Sequence, residues 1–276
     1  MRNLFDTHNH SEFSFDGKRT TVESSALSAC EKGLAGICFT DHFDFFVPQD
    51  NAEIETIQPQ EFDINSQQAE IGRVASLFSP DFKVLKGIEV GMSMESREKT
   101  AEIMSTYTFD QVIASVHYLE NSDPYYGGYF IGKDYRQAYG TYLETLYNEA
   151  VFLRDFDIIG HYDYVARYAP YPQDSIRYRD FADIFDTMFR YLVENGKCLE
   201  INTKPCTGSK GRQTVVDLDI LSRYREMGGE IISLGSDSHV ASLVGEGFEK
   251  YSAMLRSLGF RWSSHYEKRQ LVQLPL

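Results

Sequence analysis

Apolar and β-branched residues recur in short runs, most of which stop at a histidine or a carboxylate, and longer amphipathic stretches separate the runs. The runs predict seven strands, over residues 3–7, 36–40, 84–90, 111–116, 158–160, 198–202 and 230–235. Helical patterns lie between or after them at 21–31, 60–77, 95–107, 135–154, 179–195, 216–227 and 243–258. Gly33 and Pro80 stand where the first two should stop. Strand followed by helix, repeated along the whole chain, predicts an α/β fold with a parallel sheet. A closed TIM-like barrel is the tidiest way to place that sheet.

No Pro-, Gly- or Ser-rich linker divides the sequence, so residues 1–276 are expected to form one domain. Two connections exceed what a barrel needs, 43–59 and 118–133. Loops of that length serve as lids or binding walls, or are plain surface insertions. The second contains Asp123-Pro124-Tyr125-Tyr126-Gly127-Gly128-Tyr129.

Six of the seven histidines occupy the strand ends, in the motifs Asp6-Thr7-His8-Asn9-His10, Thr40-Asp41-His42, Ser115-Val116-His117, Gly160-His161 and Ser236-Asp237-Ser238-His239. Glu89 ends its strand in the same way, in Gly87-Ile88-Glu89-Val90. Imidazole with carboxylate is a donor set for zinc, manganese or iron. A parallel barrel gathers such ends at one mouth. His8 and His10 are two apart, so both leave one face of a strand, and Asp237 and His239 repeat the spacing. Asp41 and His42 are consecutive, so at a regular strand end only one points inward. His42 is the expected ligand, with Asp41 an acceptor that orients an imidazole or else a cap. His265, in a polar C-terminal stretch without ligand neighbours, is expected at the surface.

The formal net charge of −14 argues against a general nucleic-acid or anionic-membrane binder. The first residues carry no apolar signal-peptide core, and no run approaches a membrane span. Cys30, Cys38, Cys198 and Cys206 lack metal-type pairing and fit a reducing cytoplasm. Oligomeric state is not encoded in any feature of the sequence.

The ordered series His8-x-His10, Thr40-Asp41-His42, Gly87-x-Glu89, Ser115-x-His117, Gly160-His161 and Ser236-Asp237-x-His239 resembles the PHP (polymerase and histidinol phosphatase) family. The phrases Ser11-Glu12-Phe13-Ser14-Phe15-Asp16-Gly17, Glu200-Ile201-Asn202-Thr203 and Gly228-Gly229-Glu230-Ile231-Ile232-Ser233-Leu234-Gly235 are similar to its monofunctional histidinol-phosphatase branch. The resemblance implies a distorted seven-stranded TIM-like barrel with two or three divalent transition-metal ions (zinc, manganese or iron) at its C-terminal mouth. By position in the motifs, His8, His10, Glu89 and Asp237 would hold one ion. Glu89 would bridge to a second, held also by His117 and His161. His42, His239 and Asp16 would hold a third, although several relatives have histidine where this chain has Asp16.

The implied activity is hydrolysis of L-histidinol phosphate to L-histidinol and phosphate through a metal-bound hydroxide, with Glu89, His117, His161 and Asp237 as the catalytic group. Another small phosphate ester or a nucleotide is the alternative substrate. Guanidinium suits bidentate phosphate pairing, which makes Arg167 the first candidate contact, with Lys204 and Arg212 behind it. Each of the three is otherwise a solvated surface charge. Tyr118, Tyr125, Tyr126, Tyr129, Tyr162, Tyr164 and Tyr168 offer rings for a cationic substrate fragment, or simply pack.

Overall fold

The computed structural model describes residues 3–17, 19–45, 61–120, 122–204, 211–212 and 214–276. In chain order the elements are β1 (Phe5–Asn9), α1 (Val22–Glu31), β2 (Gly36–Phe39), β3 (His42–Phe43), α2 (Ile64–Phe78), β4 (Lys83–Gly91), α3 (Arg97–Thr106) and β5 (Gln111–Ser115). Then come α4 (Tyr135–Leu153), β6 (Ile158–Ile159), α5 (Tyr164–Tyr168), α6 (Ala182–Glu194), β7 (Cys198–Asn202), α7 (Leu218–Glu226), β8 (Ile232–Gly235) and α8 (Phe248–Ser257). A hairpin of β9 (Trp262–Glu267) and β10 (Gln270–Pro275) follows.

Strands β1, β2, β4, β5, β6, β7 and β8 pair in that order, all parallel. The ends of β1 and β8 then meet: Asp237 N–H donates to His8 O at 2.8 Å and His10 N–H to Ser238 O at 2.9 Å. The sheet is thereby nearly closed into a barrel, as the repeated strand–helix pattern predicts. Outward residues such as Phe39, Ile88, Val112, Leu199 and Leu234 are buried under the helices. Ile113, Ile158, Cys198 and Tyr266 form a second, smaller buried cluster. Two of the helices start at reciprocal side-chain caps. Thr21 and Ser24 form a capping box on α1, and Asp134 and Gln137 form one on α4.

Several expectations are corrected. The barrel sheet has an eighth, two-residue strand, β3, which pairs His42 with Glu89 on β4. The second apolar run breaks at Thr40-Asp41, so the one-in, one-out rule of a regular strand does not apply there, and Asp41 is fully buried while His42 is partly buried. Helix 243–258 begins only at Phe248, because Gly245 and Gly247 adopt φ of +68° and +79°. Helix 60–77 begins at Ile64. The short helix α5 has no counterpart among the expected elements.

His265 is not at the surface. It lies in β9, is 2% exposed and stacks on Phe5 with ring centroids 4.0 Å apart. The hairpin covers the strand starts. Arg269 pairs with Asp155 and Asp157, Lys83 pairs with Glu267, and Tyr266 N–H donates to Gln111 Oε1. Lys268 and Arg269 turn the chain with φ of +50° and +64°. That two-residue turn lacks the Asn-Gly or Asp-Gly signature that would announce it.

The expected loop wall at 43–59 falls, from residue 46 onward, outside the described residues, as does Cys206. Cys38 and Cys198 are buried free thiols, as expected of strand positions. Among the described residues no helix is long and apolar enough to cross a membrane.

Candidate metal centre

The strand ends bring the predicted ligands to one mouth. Glu89, near the end of β4, is fully buried at the centre. Its Oε2 lies 3.2 Å from His8 Nε2, 3.6 Å from His10 Nε2 and 2.8 Å from His42 Nδ1. Its Oε1 lies 3.3 Å from His117 Nε2 and 3.1 Å from His161 Nε2. Asp237 Oδ1 is 3.3 Å from His10 Nε2, and Asp16 Oδ2 is 2.8 Å from His239 Nε2 and 3.9 Å from His42 Nε2. Ligand atoms within one ion's reach fall into overlapping groups: His8, His10 and Glu89; Glu89, His117 and His161; His10, His42 and His239; and His42, Asp44 and His117.

A cation fits what these residues lack. His8 Nε2, His10 Nε2, His42 Nδ1, His239 Nε2 and Glu89 Oε2 are all buried without a hydrogen-bond partner. Each such atom costs about 1–3 kcal/mol when it faces nothing, and here they face one another. A divalent cation satisfies imidazole lone pairs and a carboxylate together.

The outward nitrogens of His8, His10, His117 and His239 are held by further groups, whereas His161 Nδ1 has no hydrogen-bond partner. Glu200 Oε1 sits 2.6 Å from His8 Nδ1, and its Oε2 accepts the His161 backbone N–H at 2.7 Å. A Cβ on Gly235 would lie 2.4 Å from Glu200 Oε1 and 2.5 Å from His8 Cβ, so only glycine lets this contact form. Asp44 flanks His117 Nδ1 at 3.0 Å, and the carbonyl of Asp237 accepts from His239 Nδ1 at 3.0 Å. Protonating each Nδ1 leaves the Nε2 lone pair aimed inward.

Asp41 does not touch an imidazole. It accepts from Ser11 N–H at 2.6 Å, Gln67 Nε2 at 2.7 Å and Ser14 Oγ at 3.0 Å. Ser14 Oγ in turn lies 3.0 Å from His10 Nδ1, so Asp41 orients His10 through a serine. Sequence signals did exist for the missed residues. Glu200 is a charge inside an otherwise largely apolar strand run, and Asp44 follows His42 at the i+2 spacing already noted for His8 and His10.

Burial favours neutral forms here, yet Glu89 is held well below the usual carboxylate range by His8, His42 and His117. Burial likewise opposes the charge on Asp237, but Lys204, His8 and His10 hold it well below its ordinary value. Burial and the neighbouring His239 and His42 push His10 down, and burial also lowers His161. Asp237 takes φ of +49°, a left-handed conformation uncommon outside glycine and one that clusters at functional sites.

The three cations predicted from sequence separate. Arg167, 3% exposed on α5, pairs with Asp163 at 3.2 Å and with Asp237 at 3.4 Å. Lys204 Nζ lies 2.9 Å from Asp237 Oδ1. Both therefore border the cluster. Arg212 donates instead to the carbonyls of Ala166, Tyr171 and Gln173, bracing the segment that carries Arg167. Of the aromatic candidates, Tyr129 and Tyr162 belong to the buried core. Tyr164 packs its ring against His117 and His161, at centroid distances of 5.5 and 5.2 Å.

Comparison with known proteins agrees with this geometry. The profile of the PHP domain matches residues 6–204. The histidinol-phosphatase of Lactococcus lactis is 31% identical over 92% of this chain and 91% of its own length. A probable histidinol-phosphatase of Clostridium acetobutylicum is 30% identical over 96% of this chain and 98% of its own. The crystal structure of Lactococcus lactis histidinol phosphate phosphatase, complexed with zinc, L-histidinol and phosphate, superposes with a TM-score of 0.86. It covers 98% of this chain and 99% of that one at 28% identity.

Proposed function

The chain belongs to the PHP domain family, and from that premise we propose that it is a histidinol-phosphatase, hydrolysing L-histidinol phosphate to L-histidinol and phosphate. The observation that carries the reading is the buried Glu89, with both oxygens ringed by histidines, of which His8, His10 and His42 have inward atoms without a hydrogen-bond partner. Relatives named for this activity extend along nearly the whole chain.

His8, His10, Glu89 and Asp237 would hold one ion, Glu89, His117 and His161 a second, and Asp16, His42 and His239 a third. Zinc, manganese and iron all accept this thiolate-free set. Divalent ions bound there would supply Lewis acidity toward phosphoryl oxygens and would lower the pKa of a bound water toward about 7.

The protein's own groups do the rest. Arg167 and Lys204 are assigned to the phosphoryl oxygens, since both stand on Asp237 at the edge of the cluster. Holding the phosphorus there presents it in line to the attacking water, so the new P–O bond forms as the ester P–O bond breaks. Arg212 is assigned to bracing Arg167. The cations are fixed by Asp163 and Asp237 before substrate arrives, which limits the reorganisation needed in the transition state.

Steady-state kinetics after controlled metal loading test the reading. L-Histidinol phosphate should exceed p-nitrophenyl phosphate and a sugar phosphate in kcat/KM by at least about a hundredfold, or roughly 2.7 kcal/mol. The gene should also restore growth without histidine to a host lacking histidinol-phosphate cleavage. Equal activity across the panel with failed complementation would leave a metal phosphoesterase of other substrate.

A further inference from the structure

The loop after β5 carries a carboxylate that the hydrolytic chemistry does not use. Asp123 is 8% exposed, and its Oδ1 accepts both the Tyr125 N–H at 2.8 Å and the Tyr164 hydroxyl at 2.9 Å. The ring of Tyr164 lies between this carboxylate and the imidazoles of His117 and His161. Tyr168 packs edge-on to both Tyr164 and Tyr125, with centroids 5.2 Å away in each case. The same Tyr168 feels the charges of Lys204 and Arg167. A wall of tyrosines thus runs from the cations assigned to the phosphate to a buried carboxylate at its far end.

We propose that Asp123 is a specificity-determining residue, which pairs with the cationic group of the alcohol being released while Tyr164 and Tyr168 present their ring faces to it. The proposal rests on the phosphate-ester reading above and names the chemistry that selects among esters. Ring faces attract ammonium and imidazolium ions, and a carboxylate in low-dielectric surroundings gains more from a cation than one in water. Burial raises the pKa of Asp123 to about 6, so its ionised form is one that a cationic partner stabilises. A neutral alcohol would leave that charge buried and unpaired, so the same residue that favours cationic esters selects against neutral ones.

Asp123→Asn tests this on the metal-loaded protein. Asparagine keeps a side-chain oxygen to accept from Tyr125 and Tyr164 and removes only the charge. Kinetics are read on L-histidinol phosphate and on p-nitrophenyl phosphate, with bound metal measured in parallel. The ratio of their kcat/KM values should fall by about ten- to a hundredfold, the range of one charge-assisted hydrogen bond, at constant metal content. An equal loss on both esters, or no change in the ratio, overturns the proposal.

Wild-type protein gives a second reading. L-Histidinol should inhibit p-nitrophenyl phosphate hydrolysis at least about tenfold more strongly than n-propanol, and equal inhibition would count against the subsite. Ethanolamine phosphate separates the two ideas. Should it outrank p-nitrophenyl phosphate while histidinol phosphate is inert, the cation subsite stands and the histidinol reading fails.

Discussion

Replacing Glu200 with glutamine tests whether the metal cluster depends on a residue that touches no ion. Glu200 is buried, with Oε1 2.6 Å from His8 Nδ1 and Oε2 2.7 Å from the His161 backbone N–H. Both partners donate to a carboxylate. A glutamine side chain offers one acceptor and one donor, so one of them must face an NH2 group. The His161 N–H cannot change its role, whereas an imidazole can exchange tautomers. The less costly arrangement therefore turns the amide oxygen to His161 and the NH2 to His8. That arrangement makes Nδ1 the acceptor and moves the proton of His8 to Nε2, where it faces Glu89 and the ion. Loss of an outer partner of this kind costs ten- to a hundredfold in metal affinity, about 1.4–2.7 kcal/mol. Competition with a chromophoric chelator measures the affinity, and imidazole nitrogen resonances of the metal-free protein report the tautomer. An affinity within about twofold of wild type, with His8 still protonated at Nδ1, would refute the reasoning.

Three other outcomes are expected. Glu89→Gln should lower turnover by more than about a hundredfold, beyond the usual loss for an outer partner, with the fold retained by circular dichroism; near wild-type activity would remove Glu89 from the ligands. Arg167→Ala should cut kcat/KM by about ten- to a hundredfold without loss of bound metal, and Arg167→Lys should recover only part of it, because an ammonium cannot form the guanidinium's paired bonds. Loss of metal in either variant would mean general damage to the site. The pH dependence of Asp123 is worked for chelated protein, where Tyr164, the Tyr125 N–H, His117 and Asp44 act on it. Its pKa is about 6 when folded and about 3.9 when unfolded. The folded state therefore binds the proton more tightly, and stability falls as pH rises through that window, by up to about 3 kcal/mol. Asp123→Asn escapes this, so its stability relative to wild type should grow between pH 4 and 7 in urea titrations; a difference independent of pH contradicts it.

The sequence by itself determined the strand–helix alternation, the parallel barrel and the identity of the residues at its mouth. These are legible because apolar period and strand length are local properties, and because an imidazole or carboxylate that ends an apolar run has few inexpensive roles. Tertiary structure alone decided what holds those residues in place. Glu200 reaches His8 from another strand, across 192 positions of sequence. Asp41 acts on His10 only through Ser14, and Asp44 meets His117 across 73 positions. Such pairings depend on register and on close approach at Gly235, neither of which has a local signature. His265 shows the same limit from the other side. Its neighbours in sequence are polar, but a hairpin turned at Lys268-Arg269 lays it on Phe5, and burial is set by what folds over a residue rather than by the residues beside it. Arg167 and Arg212 each lie in a segment of chain that follows a strand end, and both read from sequence as cations near the site. Only the arrangement of carboxylates around one and carbonyls around the other separates the charge proposed for phosphate from a charge that braces a loop.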